Sequence, residues 1–479
     1  MDRARRGILA FSMNRLDAFA VLGVGVAALA TQLEVLAAPR ATTAPSEPPP
    51  AAPATIPAHA TPAAPPMAQA ASKPAPSAPA CAPLDPELPA LLSVPELDRA
   101  PLPPIVDGDR LAPFYERLAK TLRGAARDHL RIGFYSDSNG CQDFLAGEMR
   151  RWLQTRWGDA GHGYLALGKP WDWYVHRDVR HGVDRSLWTS YVVSSRPAPD
   201  PYYGHGMIAA DSAIRGAITW FQTAPETALV GKTISRVEIS YLQRPNGGAF
   251  DVVVDGELRA TIDTHGAPIT AAYRTIDVPD APHTFKITPR GGAPVRLLGA
   301  TLERAVTPEV KPSFVVDGLS VGAANWRTML RDDADLDRAT IRHRDYAVIL
   351  LHMGTNTWTG EPKRAEMMRG VLERLHESIP EVPLLVMGSP DNYQDGELLA
   401  RVVVPEQRAI AHDLGAAFFD FNAAMGGQGS MQTFFRNKMS MNDVVHFNEA
   451  GGAYMGRRVL YALWRDFARW LAAHPEAGC

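Results

Sequence analysis

The chain holds 479 residues, more than a single hydrophobic core organises, so two folded units joined to unstructured segments are expected. A formal charge of -3 with 21% charged residues excludes the basic footprint of a nucleic-acid binder, and no nucleic acid is expected among the partners. Cys81, Cys141 and Cys479 are widely spaced, odd in number and without C-x-x-C pairing, so no disulfide framework, metal or cofactor is assigned.

Arg3, Arg5, Arg6 and Arg15 precede an apolar run, Ala18 to Ala30, that closes on the small-x-small pattern Ala28-Leu29-Ala30. Residues 1–30 read as a signal peptide, which makes the protein exported, to the periplasm, cell envelope or exterior. The run is shorter than the roughly 20 residues of a membrane-spanning helix. Leu33 to Ala38 extends it across Gln32 and Glu34, so an uncleaved signal anchor, with N-terminal membrane attachment, stays open. Residues 31–104 are dominated by Pro, Ala, Ser and Thr, a composition that buries no core and reads as a disordered, polyproline-like linker.

Folded sequence begins near residue 105. Leu111, Phe114, Leu118 and Leu122 predict a helix. Arg131-Ile132-Gly133-Phe134-Tyr135 predicts a strand running into Ser136-Asp137-Ser138-Asn139, and helical period returns from Phe144 to Trp157. A strand that ends on a serine and turns into a helix places that hydroxyl at the carboxyl edge of a parallel sheet, where α/β enzymes bind ligands. The helix N-terminus is expected to set a positive dipole end beneath it.

From 201 to 305 the pattern changes to short β-rich runs, among them Ile234 to Leu242, Phe250 to Val254 and Val295 to Leu302, separated by turns such as Asn246-Gly247-Gly248 and Asp255-Gly256. Such spacing predicts an inserted all-β sandwich. After Lys311 strands and helices alternate again: strands at Phe314 to Val316, Tyr346 to Leu351, Pro383 to Met387 and Ala416 to Phe421, helices at Arg364 to Ser378, Glu397 to Leu414 and Glu449 to Ala473. The predicted fold class is α/β: a discontinuous three-layer α/β/α parallel-sheet domain, 105–200 plus 306–479, closed around the sandwich.

Asp443-Val444-Val445-His446 sets a carboxylate three residues before an imidazole. With Ser138 these residues supply a nucleophile, a base and a base-orienting carboxylate, the set that lets a neutral serine attack an ester carbonyl near pH 7. Trp171, Trp173 and Tyr174 form an aromatic cluster suited to stacking on sugar rings, and Asp391 follows a strand end where it can line a substrate cleft. Cys141, close after Ser138, reads as a small buried residue.

Four blocks in chain order resemble those of the SGNH or GDSL hydrolases, a family of flavodoxin-like fold. Ser136-Asp137-Ser138 resembles the first, with Ser138 at the nucleophile. Asp317-Gly318-Leu319-Ser320-Val321-Gly322-Ala323 resembles the second, whose glycine donates a backbone N–H to the oxyanion; Gly322 is favoured, Gly318 is the rival. His352-Met353-Gly354-Thr355-Asn356 resembles the third, with Asn356 as the oxyanion asparagine. Asp443-Val444-Val445-His446 is similar to the last. The first block departs from the family in carrying Ser136 where glycine is usual, which implies altered backbone angles or a lost packing contact. Together with the export signal and the sandwich, which looks like a carbohydrate-binding module, the resemblance implies a peptidoglycan or polysaccharide O-acetylesterase acting on an acylated glycan. An O-acyltransferase with the same triad and a non-catalytic glycan-binding protein are the alternatives.

Overall fold

Leu130–Ser136 is buried at every position, as a strand covered on both faces must be. In the computed structural model, which describes residues 84–99, 101–357, 360–394 and 397–477, it lies inside a six-stranded sheet. The order is Ile105–Val106, Ala417–Phe419, Leu384–Met387, Tyr346–His352, Leu130–Ser136, Phe314–Ser320. All neighbours are parallel except Ile105–Val106, which runs antiparallel to Ala417–Phe419. Counting the parallel strands in chain order, the arrangement is 2-1-3-4-5, and the direction of winding reverses between Leu130–Ser136 and Tyr346–His352. A crevice opens outside the carboxyl ends of the strands at such a switch point.

Side-chain alternation splits the buried residues into two layers. Ile132, Phe134, Val348 and Leu350 pack with Leu145 and Met149 of helix Phe144–Trp157 and with Leu460 and Trp464 of helix Glu449–Ala473. Ile349, Leu351 and Val386 face the other way, toward Val371 and Leu375 of helix Arg364–Ser378 and Val404 of helix Leu399–Asp413. The three layers follow from that parity.

Two larger antiparallel sheets accompany the parallel one, besides a two-stranded pair, Tyr393–Gln394 with Glu397–Leu398. The first runs Glu257–Asp263, Ala249–Val254, Thr284–Pro289, Thr219–Gln222, Arg180–Val183. The second runs Thr270–Ala281, Ile234–Gln243, Val295–Glu303, Ile208–Ser212, Thr189–Val192, with Gly161–Leu165 also paired to Val295–Glu303. Phe221, Phe250 and Ile287 of one sheet and Val237, Ile239 and Leu297 of the other join a single hydrophobic cluster that continues into the helix layer of the parallel sheet. The antiparallel strands therefore begin at Gly161, forty residues upstream of the boundary expected at 201. Strands within 161–192 are short, and Gly161-His162-Gly163 carries no β-branched residue and little period-2 signal.

The linker expected over 31–104 also ends earlier. Leu97 and Leu102 are buried, and Asp98 accepts a hydrogen bond from Tyr454 Oη at 2.7 Å and pairs with Arg458 of the last helix. Residues 84–99 thus dock where a Pro-rich composition suggested free chain. The signal peptide or anchor expected at 1–30, and the linker expected up to residue 83, lie outside the described residues. No described helix is long and apolar enough to cross a membrane.

Candidate active site

The sheet delivers three polar blocks to one edge. Ser136 pairs in register with Ser320 on one side and His352 on the other, so the chains after these residues leave the sheet level with one another. Phe314–Ser320 runs through Gly318, where a Cβ would meet Asp143 Oδ1 at 2.9 Å beneath the strand. Gly322 lies past the strand end and lines a cleft of about 580 Å³ together with Ser138, Asn356, Asp443 and His446. Between the two glycine candidates, only Gly322 reaches the cleft.

His446 joins the other two groups. Its Nε2 lies 2.8 Å from Ser138 Oγ and its Nδ1 2.7 Å from Asp443 Oδ2. Asp443 Oδ1 accepts from the N–H groups of Val445 and His446, both at 3.0 Å. Burial pushes the Asp443 carboxyl up, but the hydrogen bonds from His446 and the two backbone groups outweigh it and hold it below the usual carboxylate range. The loop is closed by Met441 N–H donating to His446 O at 2.7 Å, with Val444 held at φ 57, an uncommon conformation for a β-branched residue. The last helix is capped by Asn448, whose Oδ1 accepts from Ala450 and Gly451 N–H, which leaves Asp443 to the imidazole.

Ser138 sits in a turn rather than at a helix end: Cys141 N–H donates to Ser138 O at 3.3 Å, and the helix starts six residues later at Phe144. The dipole expected beneath Ser138 is therefore displaced from it. Polar partners hold the turn instead. Asp137 Oδ2 accepts from Gly354 N–H at 3.1 Å and Thr355 N–H at 2.9 Å, while its Oδ1 accepts from Asn139 N–H and Thr355 Oγ1, both at 3.0 Å. Asn139 donates through Nδ2 to Thr355 Oγ1 at 3.0 Å and accepts through Oδ1 from Phe447 N–H at 3.1 Å. Its one side chain links the serine turn, the asparagine loop and the histidine loop. Asn356 Nδ2 donates to Ala324 O at 3.0 Å, which orients the amide and uses one of its two hydrogens. Ser194 Oγ donates to Gly322 O at 2.5 Å, and Ala323 beside it adopts φ 57.

Ser136, the departure in the first block, is fully buried in regular strand pairing, with its Oγ 3.0 Å from His352 Nδ1. It is not among the residues with positive φ, so its backbone makes no demand for glycine. The close approach falls on Gly140, where a Cβ would stand 2.3 Å from Ser320 Oγ and 2.6 Å from Ser136 Cβ.

The cleft sorts the remaining candidates. Trp171 and Trp173 line it. Tyr174 does not: it is buried, its Oη accepts Ala166 N–H at 3.0 Å, and its ring braces Trp171 edge-on at 5.3 Å. Asp391 is also buried away from the cleft, accepting Met431 N–H at 2.9 Å at the start of helix Ser430–Arg436, and burial pushes its carboxyl up. An Asp after a strand end satisfied local backbone instead of facing substrate. Burial raises the Cys141 thiol well above its ordinary value, as suits a packing residue. Asp137, Asn139 and Gln142 were given no role from the sequence; for Asp137 and Asn139 the signal was four consecutive polar residues, Ser136 to Asn139, closing a buried strand, since buried polar groups require partners, while Gln142 carried no such signal.

A solved structure of a peptidoglycan O-acetylesterase superposes with a TM-score of 0.62 at 20% identity, covering 76% of this chain and 99% of that one. The likeness establishes a shared fold. A family two carbohydrate esterase from Cellvibrio japonicus matches at 12% identity over 61% of this chain and 99% of its own with a TM-score of 0.24, and one from Clostridium thermocellum at 12% over 57% and 96% with 0.24; neither adds weight to the argument. No protein-family model matches the sequence, and no curated protein matches it.

Proposed function

We propose that the protein is an exported serine esterase that hydrolyses O-acetyl or other short acyl esters on a cell-wall or extracellular glycan. The observation that carries this is His446, within hydrogen-bond distance of Ser138 Oγ through one ring nitrogen and of Asp443 through the other. In this reading Ser138 Oγ attacks the ester carbonyl while its proton passes to His446 Nε2. The tetrahedral oxyanion is met by the N–H groups of Ser138 and Gly322 and by the free hydrogen of the Asn356 amide, donors of a kind that each lower such a barrier by roughly 3 kcal/mol. Collapse expels the sugar alcohol, which takes the proton from His446; water then attacks the acyl-serine, giving a proton to His446, which returns it to Ser138 Oγ as the acid leaves. Asp443 holds the imidazole tautomer throughout.

Hydrolysis is favoured over transfer to a second alcohol because the base is wet: the His446 side chain is 31% exposed and that of Asp443 46%. The glycan half of the proposal draws on the export signal, on the antiparallel sheets read as a sandwich with a carbohydrate-binding role, and on the fold shared with a peptidoglycan O-acetylesterase. A fluorophosphonate probe tests the chemistry. Wild type is expected to label, with Ser138→Ala and His446→Ala silent, and purified protein to release acetate from p-nitrophenyl acetate and from O-acetylated wall polymer. Failure to release acetate from both would sink the proposal.

A further inference from the structure

Among the described residues lining the cleft, the ionisable groups are Asp443 and His446, and no lysine or arginine faces it. Both Asp443 oxygens are already engaged by His446 and by the backbone of Val445 and His446. A bound molecule therefore meets no free charge, and recognition falls to neutral hydrogen bonds and apolar contact.

Trp173 supplies the apolar contact. It is 49% exposed, an unusual setting for so large an apolar ring, and its Cη2 lies 3.9 Å from where a Cβ on Gly322 would stand. The ring thus reaches over the second strand's loop. It is also braced. Trp171 packs against it at 5.5 Å, and Trp171 is held in turn by the buried, hydrogen-bonded Tyr174. Gln142 and Ser195 line the same cleft, and neither side chain has a hydrogen-bond partner among the described residues. Trp171 and Trp173 lie between strands Gly161–Leu165 and Arg180–Val183, and Ser195 just after Thr189–Val192, so the antiparallel sheets supply these groups.

We propose that Trp173 is the platform of a sugar subsite: its indole stacks on the apolar C–H face of an uncharged pyranose, while the Gln142 amide and Ser195 hydroxyl bond the hydroxyl groups around the ring edge. That this ring carries the scissile ester rests on the esterase reading; the stacking does not. A braced, preorganised ring loses little freedom on binding.

Two measurements on the full chain separate the ideas. In Ser138→Ala, which cannot turn over substrate, chitotetraose is expected to perturb tryptophan fluorescence and bind, and polygalacturonate not to compete. Adding Trp173→Ala should weaken chitotetraose binding at least tenfold, with Trp173→Phe keeping most of it. In the active chain, Trp173→Ala should raise KM for an O-acetylated chitooligosaccharide at least tenfold with kcat within twofold, and lower kcat/KM for this ester at least fivefold more than kcat/KM for vinyl acetate, which has no ring. Binding of chitotetraose that ignores Trp173→Ala, or equal loss on both esters, overturns the subsite. Trp173-dependent binding in a chain that hydrolyses neither ester upholds the subsite and removes the esterase.

Discussion

The serine turn and the histidine loop face each other across the cleft entrance and are held in opposite ways. Asp137 and Asn139 around Ser138 are buried and bonded to the neighbouring loop at residues 354–355. Asp443 and His446 are partly exposed, and most of their hydrogen bonds are internal to the loop. Beside the His446–Ser138 contact, the loop is tied to the turn by the Asn139–Phe447 bond, reinforced by Phe447 buried against Phe421 and Phe434. One half of the site is fixed by the fold; the other is a self-contained clip that docks on it. In the proposed triad, preorganisation is therefore unequal, and the docking contact holds the two halves in register.

The asymmetry is most vulnerable at the clip. Asp443→Asn keeps its shape but reverses the tautomer preference of His446, and kcat for acetyl ester should fall by about a thousandfold or more with little change in KM, as measured by steady-state kinetics. A loss under tenfold would mean that solvent replaces Asp443. Asn139→Ala cuts the docking bond and the link to Thr355 together. Its expected cost is about ten- to a hundredfold in kcat, again at constant KM; a double-mutant cycle with Thr355→Val should show coupling, since the two share a bond. A merely structural Asn139 would lower thermal stability and leave per-molecule kcat alone.

The smallest effect concerns the fixed half. Burial holds His352, bonded to Ser136 below the serine turn, down to about 4 from an ordinary 6.5, with the Asp137 charge opposing. In that window the unfolded chain binds a proton that the folded chain refuses. The stability contributed by neutral His352 is complete above pH 6.5, declines as pH falls, and is gone once pH passes below about 4. His162, His181 and His205, held by burial at about 3, 4 and 4, act in the same direction. His352→Gln should therefore reduce the drop in Tm between pH 7 and 4.5 by a few degrees without abolishing it, which calorimetry can follow.

Much of the site was legible because polar residues interrupt apolar strands at points where only function or a hydrogen-bond network excuses them. Ser138, Asn356, Asp443 and His446 are of this kind, and the structure brings all of them to one cleft. Gly322 was favoured over Gly318 from the sequence, and the strand's continuation to Ser320 leaves Gly318 inside the sheet and Gly322 beyond its end, on the cleft. Asp391 looked like a cleft residue because a polar tip after a strand reads the same whether it faces ligand or satisfies a buried backbone N–H, and Tyr174 because a ring in an aromatic cluster reads the same whether it faces the cleft or braces its neighbour. Strand Gly161–Leu165 was hidden because tertiary pairing with Val295–Glu303, rather than its own propensity, makes it a strand.

The level ending of Ser136, His352 and Ser320 makes the site a matter of counting. Each strand is a ruler that stops at a shared line, and the chemical groups stand at fixed steps beyond it: two residues to Ser138, four to Asn356, two to Gly322. Adding one residue within any of these strands would turn its buried faces inside out and advance its polar block by one step. Lengthening the loops that carry Trp173 or Ser195 would not disturb that tally. New specificity in this scaffold is therefore free to arise by loop insertion, while the chemistry can change only by substitution at a fixed count.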